Sequence, residues 1–153
     1  SSLAHPSIYL IADRRRTAWI EVAPEGKYAF RATNNGVLAH TNHYLDEKLS
    51  DANGKIGRGS RTRLGRIGEL LDRRTAPLTL EDFIAFSQDR NDGPDHSLWR
   101  TGSKPEGKRT LASWIVSLPP KAPPELFLSL ANPGEPERTV RITLDERFWK
   151  GNE

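Results

Sequence analysis

Two blocks of short β-forming runs flank one stretch of helical periodicity, and that order constrains the fold more than any other feature of the chain. The first block spans residues 7–13, 17–23, 27–31 and 37–40. Its punctuation is Arg14-Arg15-Arg16, then Pro24-Glu25-Gly26, then Asn34-Asn35-Gly36. Asn-Gly and Pro-x-Gly pairs between runs of this length specify hairpins, so the spacing predicts an antiparallel meander with a short fourth strand at 37–40. The second block covers 110–118, 125–131 and 139–144, with Pro119-Pro120 and Pro123-Pro124 framing its first turn.

Between the blocks the period changes. Residues 46–59 are polar, contain Asn53-Gly54, and are expected to form a long loop. Ser60 reads as an N-cap, after which Leu64, Ile67, Leu70 and Leu71 recur at helical spacing to about Arg74. Pro77 ends that helix. Thr79, with Asp82 three residues on, opens another as a capping box, and Leu80, Phe83, Ile84 and Ser87 form its expected buried stripe. Residues 89–110 are expected to be a second long loop. Strands, then helices, then strands define an α+β fold: antiparallel sheet with two helices packed on it.

Composition closes off several functions. Mean hydropathy is −0.66, and no apolar run approaches the roughly 18 residues a spanning helix needs, so no membrane partner is expected. The 23 Lys and Arg nearly balance 20 Asp and Glu. These charges interleave, so the pI near 9.4 does not mark a nucleic-acid surface. The one basic cluster, Arg14 to Arg16, reads as an exposed hairpin turn, with an anionic partner as the alternative. With no cysteine, the chain can hold neither disulfide nor thiolate metal site, and it can supply no thiol nucleophile. With no methionine, Ser1 is expected to be a processed or truncated terminus.

The densest chemical cluster is His40-Thr41-Asn42-His43-Tyr44, where a strand is expected to open into a loop. His40 and His43 could bind a metal, but their spacing suits a helix rather than a strand, and no second ligand group is near. A histidine could act as general base, although no G-x-S-x-G nucleophile elbow is present. Asn42 could donate its amide to a developing oxyanion. Spacing alone favours none of these over residues that satisfy buried backbone groups. No metal and no cofactor is expected.

His40-Thr41-Asn42-His43-Tyr44-Leu45 resembles the His-x-Asn-His signature of the isopenicillin N acyltransferase family, within the N-terminal-nucleophile (Ntn) hydrolases. Residues 9–13 and 18–24 are similar to the family's hairpin before the motif. Ser60-Arg61-Thr62-Arg63 resembles its Ser-Arg-x-Arg helix start. Residues 80–83, 88–94, 97–100 and 110–113 resemble later pieces in the right order. The resemblance implies an αββα sandwich of which residues 1–153 are the C-terminal portion. It also implies a nucleophilic cysteine, exposed by autoproteolysis, on another chain of the same precursor.

By that resemblance the chain is expected to be one subunit of an amidohydrolase or acyltransferase, acting on an amide or thioester through an acyl-enzyme. Asn42 would be the oxyanion donor. Arg61, Arg63 and Arg109 are candidates for the arginine beside the nucleophile. Tyr44, Trp99 and His43 are candidates for contact with a small-molecule amide or acyl donor. The expected partner is the nucleophile-bearing chain, and cytoplasmic placement is the expectation. Ser1 is a weaker nucleophile candidate, because the first strand begins near Ser7, after His5-Pro6. Two other readings remain: a catalytically silent binding domain, and a basic adaptor that uses Arg14, Arg15 and Arg16.

Overall fold

The structure, a computed structural model, describes residues 7–150. Ser1 and His5-Pro6 lie outside the described residues. The fold is α+β: two antiparallel three-stranded sheets and several helices. The chain divides into two compact units at Gly68/Glu69, and each is described by itself.

In the first unit, β1 (Ser7–Ala12), β2 (Thr17–Val22) and β3 (Tyr28–Thr33) form a meander with β2 in the centre. The arginine cluster is the β1–β2 turn. Asp13 Oδ1 accepts the backbone N–H groups of Arg15 and Arg16 at 2.7 and 2.9 Å, an Asx turn that lets the hairpin close. At the next turn Gly26 adopts φ +75°, which glycine enters without a steric penalty. The register aligns Ile8, Glu21 and Ala29 on one face, with Leu10, Trp19 and Arg31 beside them. Trp19, Ala23, Ala29, Tyr44 and Leu49 make the buried core, and Leu38 packs against it.

Residues 37–40 do not form the expected fourth strand. Leu38 packs onto the Trp19 cluster and His40 reaches Glu21, so the segment crosses the face of the sheet instead of pairing along its edge. The expected loop at 46–59 contains a 3-10 helix, Glu47–Asn53, which Asp46 caps by accepting Lys48 N–H. Helix α1 (Arg58–Asp72) starts two residues before Ser60. Ser60 is therefore not its cap, and the hydroxyl is free to bond elsewhere.

In the second unit, α2 (Leu80–Ser87) opens with the expected box: Thr79 Oγ1 accepts Asp82 N–H, and Asp82 Oδ2 accepts Thr79 N–H at 2.8 Å. The buried ring of this helix is Phe86; Phe83, placed in the stripe by sequence spacing, is 41% exposed and meets Phe86 edge-on. The expected loop at 89–110 contains a single turn of helix, α3 (Gly93–His96). Strands β4 (Ala112–Ser117), β5 (Glu125–Leu130) and β6 (Arg138–Thr143) form the second meander, and α2 packs against β4. A terminal helix, α4 (Glu146–Lys150), follows.

Candidate active site

The His40–Leu45 segment is held from both sides, and its anchors come from residues far apart in sequence. On the sheet side the anchor is Glu21. It sits on the inward face of β2, two residues after Trp19, and is fully buried. Its Oε1 accepts the backbone N–H of Leu45 at 2.5 Å and lies 2.6 Å from His40 Nε2, while Oε2 accepts Asp46 N–H at 3.1 Å. A buried carboxylate is costly unless its lone pairs are met, and here three N–H groups meet them. His40 packs edge-on against Trp19, with ring centroids 5.5 Å apart. Its Nδ1 lies 2.7 Å from Thr41 O, so both ring nitrogens already face acceptors.

On the helix side the anchor is the first turn of α1. Ser60 Oγ accepts the backbone N–H of Asn42 at 3.0 Å and bonds His43 Nδ1 at 2.8 Å and Thr41 Oγ1 at 3.1 Å. One turn on, Arg63 Nη2 donates to Asn42 Oδ1 at 2.6 Å. This fixes which way the Asn42 amide points: its oxygen goes to the guanidinium, and its NH2 remains without a partner among the described residues. A cavity of about 470 Å³ opens here, lined in part by Ile8, Leu10, Asn42 and His43. The exposed Asn42 amide is thus an oriented donor at the cavity wall.

His43 also lines this cavity. Burial holds its pKa below the ordinary histidine value, helped by the nearby His40 and Arg61, while Glu21 opposes the shift. The structure separates the three arginine candidates. Arg63 bonds Asn42 directly. Arg61 is exposed in the same turn of α1 and is felt at His43 as charge. Arg109 belongs to the second unit, where its Nη2 lies 3.5 Å from Lys104 O.

Both aromatic candidates are buried. Tyr44 is only 5% exposed. Its hydroxyl donates to Val22 O at 2.9 Å, and its backbone exchanges two hydrogen bonds with the Asn53 side chain. Burial, with the charge of Glu21, raises its phenol pKa. It backs the cavity as a fixed wall. Trp99, in the second unit, is 2% exposed; its N–H bonds Asp89 O and Arg90 lies over its ring, so it pins the 89–102 segment. Sequence reasoning missed Glu21 and the cross-linking role of Ser60. A signal for Glu21 was present: a carboxylate in phase with Trp19 on a strand points to the same buried face.

The family model described as acyl-coenzyme A:6-aminopenicillanic acid acyl-transferase matches residues 3–135. The chain belongs to that family, whose chemistry is of the acyltransferase or hydrolase type. No curated protein gave a significant match. Among the described residues no helix is long and apolar enough to cross a membrane.

Proposed function

We propose that the chain is one subunit of an Ntn-type acyltransferase or amidohydrolase, and that it supplies the oxyanion donor to a cysteine nucleophile on a second chain of the same precursor. The observation that carries this reading is the Asn42 amide, whose oxygen is fixed on Arg63 and whose NH2 is left for the cavity. In the proposed reaction the thiolate attacks the carbonyl carbon of an amide or thioester. The carbonyl oxygen gains negative charge, and a donor already aimed at it lowers the barrier without reorganising. The C–N or C–S bond then breaks, the leaving group takes a proton, and water or an amine receives the acyl group. Membership of the family supports this chemistry, and the uncharged walls Ile8, Leu10 and Tyr44 suit an acyl group.

The sheets support the second chain. In the first unit Tyr9, Ile11, Ile20, Tyr28 and Phe30 share the face opposite the core, and Tyr9, Ile11, Tyr28 and Phe30 are exposed. In the second, Trp114, Val116, Leu126, Leu128, Val140 and Ile142 share one face, with Trp114 73% exposed. Apolar surface of this extent ordinarily meets a partner. The test is native purification followed by intact-mass analysis and turnover. A co-purifying chain that begins with cysteine is expected, and Asn42→Ala should lower kcat by about 10²-fold with little change in KM. Unchanged turnover in Asn42→Ala would remove the amide from the mechanism.

A further inference from the structure

We propose that Glu21 is the positioning residue of this site: it clamps both ends of the arc from His40 to Asp46 onto β2 and so fixes where the Asn42 amide stands. The proposal rests on the reading of Asn42 as the oxyanion donor. The arc has Asn42 near its middle. Glu21 bonds one end through the His40 ring and the other through the backbone N–H groups of Leu45 and Asp46. Tyr44, inside the arc, adds a fourth tie to the same strand by donating to Val22 O. The hydrogen bonds that hold Asn42 itself come from the helix, from Ser60 and Arg63. The donor is thus suspended between a buried carboxylate on the sheet and a helix terminus.

The hydrogen-bond count makes the carboxylate specific. The N–H of Leu45 reaches one oxygen and that of Asp46 reaches the other, and backbone N–H groups can only donate. The group at position 21 must therefore accept at both ends. A glutamine cannot: whichever way its amide is turned, its NH2 meets a backbone N–H. An aspartate keeps two acceptors but is one methylene short. Glu21→Gln should therefore displace the arc while leaving the cavity lining and Asn42 chemically intact, and displacements of about 1 Å at a reacting group can cost 10²-fold.

The experiment is a double-mutant cycle on the assembled protein. Glu21→Gln is expected to lower kcat by roughly 10- to 100-fold with KM within about twofold. In an Asn42→Ala background it should lower kcat by less than about twofold, because the donor it positions is already gone. Glu21→Asp should recover part of the loss. Equal losses in both backgrounds, or no loss in either, would overturn the proposal. If Glu21→Gln fails to assemble, His40→Gln, which releases one end of the arc, goes through the same cycle under the same criteria. If Asn42→Ala leaves turnover untouched, the reading of Asn42 fails instead. The side-chain amide signals of Asn42 in ¹⁵N-labelled protein then decide the matter: movement on Glu21→Gln supports the clamp, and unmoved signals refute it.

Discussion

The two units begin from the same plan, a three-stranded meander with one open apolar face, but among the described residues only the first buries a charged side chain. The first unit buries a carboxylate, a histidine and a serine hydroxyl among Trp19, Tyr44 and Leu49, each in a named hydrogen bond. The second buries Phe86, Trp99 and Phe127 with a single serine, Ser97, whose hydroxyl donates to Gly93 O and accepts Asp92 N–H within its own loop, and it keeps its ion pairs outside, as in Arg90–Glu137 and Arg141–Glu125. Buried polar networks are costly when incomplete and specify one geometry when complete. Apolar cores stabilise without aiming anything. The contrast teaches that the first unit spends its interior on holding a donor in place, whereas the second spends its own on stability.

The largest expected effect tests the second half of that comparison. Trp99→Ala should cost about 3–5 kcal/mol, the usual penalty for emptying a buried aromatic site. A chemical melt of the assembled protein reads it directly, and preference among acyl donors should not change. A variant that melts normally but selects different acyl groups would make Trp99 a substrate contact and break the division between the units.

Smaller effects sharpen the contrast. Tyr44→Phe keeps the ring and loses one bond to Val22 O, so about 1 kcal/mol is expected, with kcat affected more than it would be by a distant core change. Arg141→Ala removes the bonds from its exposed Nη2 to both Glu125 carboxylate oxygens and its cover over the Phe127 ring. It should cost less than about 1 kcal/mol and leave turnover unchanged. Paired melts and rates for these two variants separate a polar interior tied to function from surface pairs that are not.

What the sequence made legible follows the range of the interactions. Hairpins fixed by Asp13 and Gly26, and the Thr79–Asp82 box, depend on residues within a few positions of each other. The strands of the second block follow from β-forming runs between prolines. The site was legible only as a cluster of polar side chains. Its meaning depends on Glu21 meeting His40, 19 residues away, and on Arg63 meeting Asn42, 21 away. No period in the sequence reports such pairs. For the same reason 37–40 reads as a strand: four β-tolerant residues cannot announce that a histidine will turn inward to a buried carboxylate. The burial of Tyr44 and Trp99 was not legible either, because an aromatic residue in a loop reads as exposed until the loop is seen folded over it.

Acid provides the finest test of the comparison. Burial, His40 and Arg61 lower the His43 pKa in the folded chain, whereas unfolding returns it to about 6.5. Between the folded and unfolded values the unfolded state binds a proton that the native state does not. The contribution of neutral His43 is therefore fully present above about pH 6.5 and is lost as pH falls through that value toward the folded pKa. In the second unit the shifted groups are Asp82, held below 3.8 chiefly by the Thr79 backbone N–H, and Asp95, held below it chiefly by Ser103. Their contributions survive until the pH falls below the usual carboxylate value of 3.8. Hydrogen-exchange protection, corrected for intrinsic rates, should then fall between pH 7.5 and 5.5 at Asn42, whose N–H bonds Ser60, and hold steady at Thr79 and Asp82. In His43→Gln the drop at Asn42 should vanish. If both units lose protection together, or if the drop persists in His43→Gln, the acid sensitivity does not reside in His43, and the interior of the first unit is no more responsive than that of the second.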